Sequence, residues 1–92
     1  MMNAIRDKKY LKWVKSQPSA ISGLPADDPH HIIGHGQGGM GTKASDYYTF
    51  PLTREEHTYL HNIGWRTWEG INGNQWRFVA ETMQKAKLEG VL

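Results

Sequence analysis

His57 and His61 stand four residues apart in a segment whose composition predicts a helix. Side chains so spaced leave a helix from one face, with Cβ atoms about 5–6 Å apart. Two imidazoles at that separation can ligate one ion at about 2.0–2.1 Å each. His30 and His31 are the second feature. They are consecutive in a β-prone segment, where successive side chains point to opposite faces, so they are not expected to do the same job. One can join His57 and His61 on a metal while the other faces the place of a substrate. All five histidines, His35 included, lie between positions 30 and 61, which favours a shared site over unrelated surface imidazoles. Such a division of labour suits metal-assisted phosphodiester hydrolysis. A cation stabilises the charge developing on the phosphorus centre and on the leaving oxygen, while a neutral base draws a proton from water. Histidine titrates near neutrality and can be that base.

The elements that must hold these residues follow from local pattern. Residues 3–16 read as a helix, with Ile5, Tyr10, Leu11, Trp13 and Val14 forming an incomplete apolar stripe. Gln17-Pro18 ends it, since proline disfavours helix at the residue before it. Residues 18–29 are rich in proline, glycine and aspartate, predicting turns around at most a short strand. A strand is expected at 30–33. It runs into Gly34–Thr42, where five of nine residues are glycine, a composition that fits only a loop. Tyr47–Leu52 then predicts a strand pairing back on 30–33. Thr53-Arg54-Glu55-Glu56 fits a capping box, with Thr53 as N-cap and Glu56 three residues later, so a helix follows to about Asn62. Gly64 breaks it. Trp65–Ile71 forms a further turn or two, and a last helix runs from near Asn74 towards Glu89. Trp65, Trp68 and Trp76 are expected in the core.

Ninety-two residues with 38% hydrophobic content bound the chain to a single domain, 1–92. With no cysteine, disulfides and thiolate zinc sites are excluded, which directs any metal site towards histidine and carboxylate. No apolar run is long enough for a signal peptide or a membrane span, so a soluble, cytoplasmic protein with no membrane partner is expected. The net charge of +2 is unevenly spread: Arg6, Lys8, Lys9, Lys12 and Lys15 stand against Asp7 alone in the first fifteen residues. A basic arm of this kind suits a polyanionic partner, although a solvated helix face accounts for it equally well. No glycine-lysine-serine/threonine follows the glycine-rich stretch, so it is not a nucleotide-binding phosphate loop.

His30-His31-Ile32, then Asp46, then Glu56-His57 and His61, resembles the HNH (ββα-metal, or His-Me finger) endonuclease motif. The stretch Pro29–Lys43 is also similar to a group of small phage and prophage HNH-like nucleases. The resemblance covers roughly residues 10–65. It implies an α+β fold, with a short two-stranded antiparallel hairpin and flanking helices around a ββα-metal core. It further implies a DNA endonuclease, in phage or prophage DNA processing or recombination, that uses one divalent ion (magnesium, manganese, zinc or nickel) and no small-molecule cofactor. Carried over by position, His30, His57 and His61 match the metal ligands and His31 the general base. Asp46 stands where the family usually has the asparagine that orients the base; its charge could raise the basicity of His31 or bring it into the metal shell. Many relatives also hold a structural zinc through two cysteine pairs. The matching positions here, Ser19, Ser22, Thr53 and Glu56, make no zinc set, which implies that packing or a homodimer takes the zinc's place. Lys43 and Arg54 are expected phosphate contacts, and His35 a contact to substrate or a loop residue without function. Two other readings compete with the nuclease. One is a non-catalytic nucleic-acid-binding module whose histidines hold a structural zinc. The other is a phage interaction protein without metal.

Overall fold

A computed structural model of the protein describes residues 5–37 and 43–92. The chain runs α1 (Lys8–Lys15), β1 (Asp28–His31), β2 (Thr49–Leu52), α2 (Arg54–Ile63), α3 (Trp65–Asn72) and α4 (Gln75–Leu88). Among the described residues the fold is thus α+β, with four helices around one two-stranded antiparallel hairpin. Strand register pairs Asp28 with Leu52, Pro29 with Pro51, His30 with Phe50 and His31 with Thr49. In continuation of this register, the Ile32 N–H donates to Tyr48 O at 2.9 Å. His30 opposite Phe50 is in phase with that bonded pair. Pro29 and Pro51 therefore meet at a non-hydrogen-bonded position, where neither is missed as a donor.

The elements depart from the expected bounds for local reasons. α1 begins at Lys8, not residue 3, because Asp7 is its N-cap and accepts the Tyr10 N–H at 3.0 Å. Ile5 N-terminal to that cap is exposed, and residues 3 and 4 lie outside the described residues. The first strand is shifted to 28–31, not 30–33. The ladder stops because its facing chain turns away at Ser45–Tyr48, just past the Ile32–Tyr48 bond, while the outward-facing backbone of Ile33 pairs with Gln75: the Ile33 N–H donates to Gln75 Oε1 (3.2 Å) and Gln75 Nε2 donates to Ile33 O (2.8 Å). Tyr47 and Tyr48 belong to a turn closed by the Tyr48 N–H on Ser45 O, so the second strand starts at Thr49. Of the expected glycine loop, residues 38–42 lie outside the described residues.

α2 starts as expected. Thr53 caps it, accepting the Glu56 N–H, while the Glu56 carboxylate accepts the Thr53 N–H at 2.8 Å. Gly64 (φ +86°) ends α2 and begins α3, a backbone conformation that L side chains rarely adopt. The principal core cluster joins Ile32, Phe50, Leu52, Leu60, Trp68, Phe78 and Val79. A second cluster, Tyr10, Val14 and Ala86, fastens α1 to α4. Trp68 is buried, whereas Trp65 and Trp76 pack on the core's edge half-buried. On α4, Phe78 and Thr82 are buried and Ala80 is exposed.

Candidate metal centre and its flanking dyad

β1 sends its alternate side chains to different surroundings. His30 is fully buried, its ring 5.0 Å from Phe50, 5.0 Å from His57 and 5.7 Å from His61. From one face of α2, His57 and His61 reach towards it, and a ligand atom from each of the three histidines lies within 4.8 Å of the others. The Nε2 atoms of His57 and His61 are 3.1 Å apart. Two nitrogens sharing one tetrahedral ion at about 2.0–2.1 Å stand roughly 3.3 Å apart, so the pair has the span of a ligand pair. The decisive sign is His30 Nδ1, a buried nitrogen without any hydrogen-bond partner among the described residues. An orphaned polar atom of this kind is costly unless something occupies its lone pair. Burial pushes the His30 imidazole down to about 3, despite an opposing hydrogen bond to Gln75. His30 is therefore a neutral imidazole at neutral pH, with one ring nitrogen unprotonated. His61 is lowered too, by burial and then by the neighbouring His57. The three residues fit a transition-metal ion.

Two of the candidate ligands are braced from outside. His57 Nδ1 is 3.1 Å from Asp28 Oδ2, and Arg54 reaches the other Asp28 oxygen at 3.2 Å. Burial would raise the Asp28 carboxyl, but hydrogen bonds from His57 and Arg54 outweigh it and hold it below the usual range. A carboxylate on the far nitrogen fixes the ring and leaves Nε2 available to an ion. His30 is braced by Gln75 Oε1 at 3.0 Å.

His31 points elsewhere. Its Nε2 lies 2.8 Å from Asp46 Oδ1. Asp46 is itself buried and accepts from the Asp7 N–H (2.7 Å, Oδ2) and from Arg6 (3.1 Å). Burial raises its carboxyl, but the bonds from His31, the Asp7 N–H and Arg6 together hold it below the ordinary range, so it stays ionised. These contacts place Asp46 beside His31 and outside the histidine cluster. An open cleft of about 450 Å³ is lined by His31, His57, His61, Asp28, Lys43 and Leu11, among others.

The remaining expected site residues divide. Exposed Lys43 lines the cleft. Arg54 is engaged with Asp28, which braces the candidate ligand His57. His35 sits apart from the histidine cluster, its Nε2 2.6 Å from Glu69 Oε2 and its ring 4.7 Å from Trp65. Ser19, Ser22, Thr53 and Glu56 do converge, as a hydrogen-bonded knot: Ser19 Oγ and the Thr53 N–H donate to Glu56 Oε1, and the Ser22 N–H donates to Ser19 Oγ. Asp28, Gln75, Arg6 and Asp7 are site residues not anticipated from the sequence. Asp28 had a signal, since it shares a strand face with His30 two residues on. Gln75 had none.

The chain belongs to the DUF968 family, described as a protein of unknown function, whose profile matches residues 2–90. It is 49% identical over 85 residues to the uncharacterized protein YdfU of Escherichia coli (strain K12), an alignment covering 92% of this chain and 24% of that protein. The chain thus spans about a quarter of the length of the curated relative it matches. No solved structure matches the chain.

Proposed function

We propose that the chain is a metal-dependent DNA endonuclease of the HNH (ββα-metal) type. The observation that carries this reading is the separation of two consecutive histidines. His30 is buried with a free Nδ1 beside His57 and His61, whereas His31 lines the cleft with its Nε2 on an ionised Asp46. This is the division that phosphodiester hydrolysis requires. The succession of β1, β2 and α2, a hairpin followed by a helix, supports a ββα-metal reading.

With Nε2–H donated to Asp46, His31 presents Nδ1 as the acceptor for a proton from water. Asp46 holds the tautomer and stabilises the imidazolium that forms. Lys43 at the cleft offers a positive charge to a phosphate. A bound divalent ion would supply charge stabilisation on the scissile phosphate and the leaving oxygen. The all-nitrogen donor set suits manganese, nickel or zinc better than magnesium, which prefers oxygen. Among the described residues three ligands converge, not four. That number favours an open catalytic position over a closed structural zinc.

The test is cleavage of supercoiled, nicked, single-stranded and branched DNA with a panel of divalent ions and an EDTA control. Metal-dependent cuts that vanish with EDTA and with His31→Ala support the reading. Metal binding without cleavage of any form would favour the non-catalytic module instead.

A further inference from the structure

Gln75 is fully buried at the start of α4, 45 residues from His30, and its amide is saturated. Oε1 accepts from the Ile33 N–H at 3.2 Å and lies 3.0 Å from His30 Nε2, while Nε2 donates to Ile33 O at 2.8 Å and to Glu69 Oε2 at 3.3 Å. A backbone N–H can only donate and a backbone carbonyl can only accept. Ile33 therefore fixes which end of the amide is oxygen. The atom facing His30 Nε2 is an acceptor, so Nε2 must carry the ring proton and Nδ1 the lone pair. Nδ1, without a hydrogen-bond partner among the described residues, is then left as a bare lone pair.

The amide is held in turn. Glu69 Oε2 accepts the Gln75 backbone N–H at 2.9 Å and contacts His35 Nε2 at 2.6 Å. Glu69 is kept ionised: burial raises its carboxyl, but hydrogen bonds from the Gln75 backbone and from His35 outweigh it. His35, at φ +54° between Gly34 and Gly36, lies against Trp65. A continuous chain therefore runs from the loop through His35, Glu69 and Gln75 to His30.

Resting on the metal site proposed above, we propose that Gln75 is the positioning residue that sets the His30 tautomer, so that His30 offers Nδ1 to the ion while His57 offers Nε2. Glu69 and His35 hold Gln75 in place, which gives His35 a supporting role remote from the phosphate. Outer partners of this kind orient the ligand and are typically worth 10–100-fold in metal affinity.

Long-range ¹H–¹⁵N NMR on the metal-free protein tests the tautomer directly. The expected result is a His30 ring protonated at Nε2 and bare at Nδ1. Added zinc should then shift His30 Nδ1 and leave Nε2–H in place. A His30 protonated at Nδ1, or zinc shifting Nε2, overturns the proposal. Should zinc bind nowhere, the metal reading falls, and the metal-free spectrum still decides what Gln75 does. Gln75→Met, near-isosteric and without an amide, should bind zinc about 10–100-fold more weakly while keeping the His57 and His61 shifts. Wild-type affinity in that folded variant overturns the proposal, and should the variant not fold, the wild-type spectra alone decide.

Discussion

His57 Nε2 faces His61 Nε2 at 3.1 Å across one turn of α2. Two bare ring nitrogens at this distance repel, so the metal-free chain must place a proton between them. A cation replaces that proton and gains a third nitrogen from His30. Metal binding should therefore displace that proton from between the rings and stabilise the fold. At a free zinc concentration 100 times Kd, the gain is about 2.7 kcal/mol, visible as a raised Tm. His57→Ala should abolish both the shift and DNA cleavage. A zinc-induced Tm rise that survives His57→Ala would place the ion elsewhere.

His31→Ala separates base from ligand. Loss of a positioned base should lower cleavage roughly 10²–10⁴-fold, with zinc affinity nearly unchanged because no ligand has gone. Cleavage rates set beside calorimetric titrations of His31→Ala and His57→Ala read the difference. Equal loss of zinc in both variants would make His31 a ligand and remove the Asp46-braced base from the mechanism.

Gly34 adopts φ +74°, and a Cβ built there would collide with the Trp65 ring. Gly34→Ala is thus strained in its backbone and blocked by a packed indole. A loss of about 1–3 kcal/mol is expected in urea unfolding. An unchanged midpoint would mean that the ring does not lie against this glycine.

Stability should depend on pH through His30. Its folded value of about 3 lies below the ordinary 6.5, so the unfolded chain binds the proton more readily. The stabilisation is fully present above 6.5 and is lost progressively as pH falls towards 3. In that window the slope approaches about 1.4 kcal/mol per pH unit for one proton. Chemical denaturation of metal-free protein between pH 7 and 4 measures it, and His30→Gln should flatten the profile. A wild-type profile as flat as that of the variant would show that His30 is not a buried neutral imidazole.

Sequence patterns that act locally were the legible part. The Thr53–Glu56 capping box and the Gly64 break set the bounds of α2, and the i,i+4 pair placed His57 and His61 on one face. The divergence of His30 from His31 followed from strand geometry alone. Longer-range contacts were not readable. Just past β1, the backbone of Ile33 pairs with the amide of a glutamine from α4, a contact 42 residues away. The bracing of Asp46 by Arg6 and Asp7 likewise crosses some 40 positions. Asp28 was within reach, sharing a strand face with His30, but its neighbour Asp27 and the following proline gave the segment the look of a turn.

The facing pair Pro29 and Pro51 has a consequence for the identity of each histidine. A slip of one residue would bring Pro29 opposite Phe50 or Leu52, whose backbone groups point across the ladder, and a bond would go unmade. The same slip would turn every side chain of β1 over, sending His31 into the interior and His30 out towards the cleft. Two rings with no amide hydrogen thus act as a reading frame for the hairpin. They decide which of two chemically identical imidazoles becomes the buried donor and which is left to meet water.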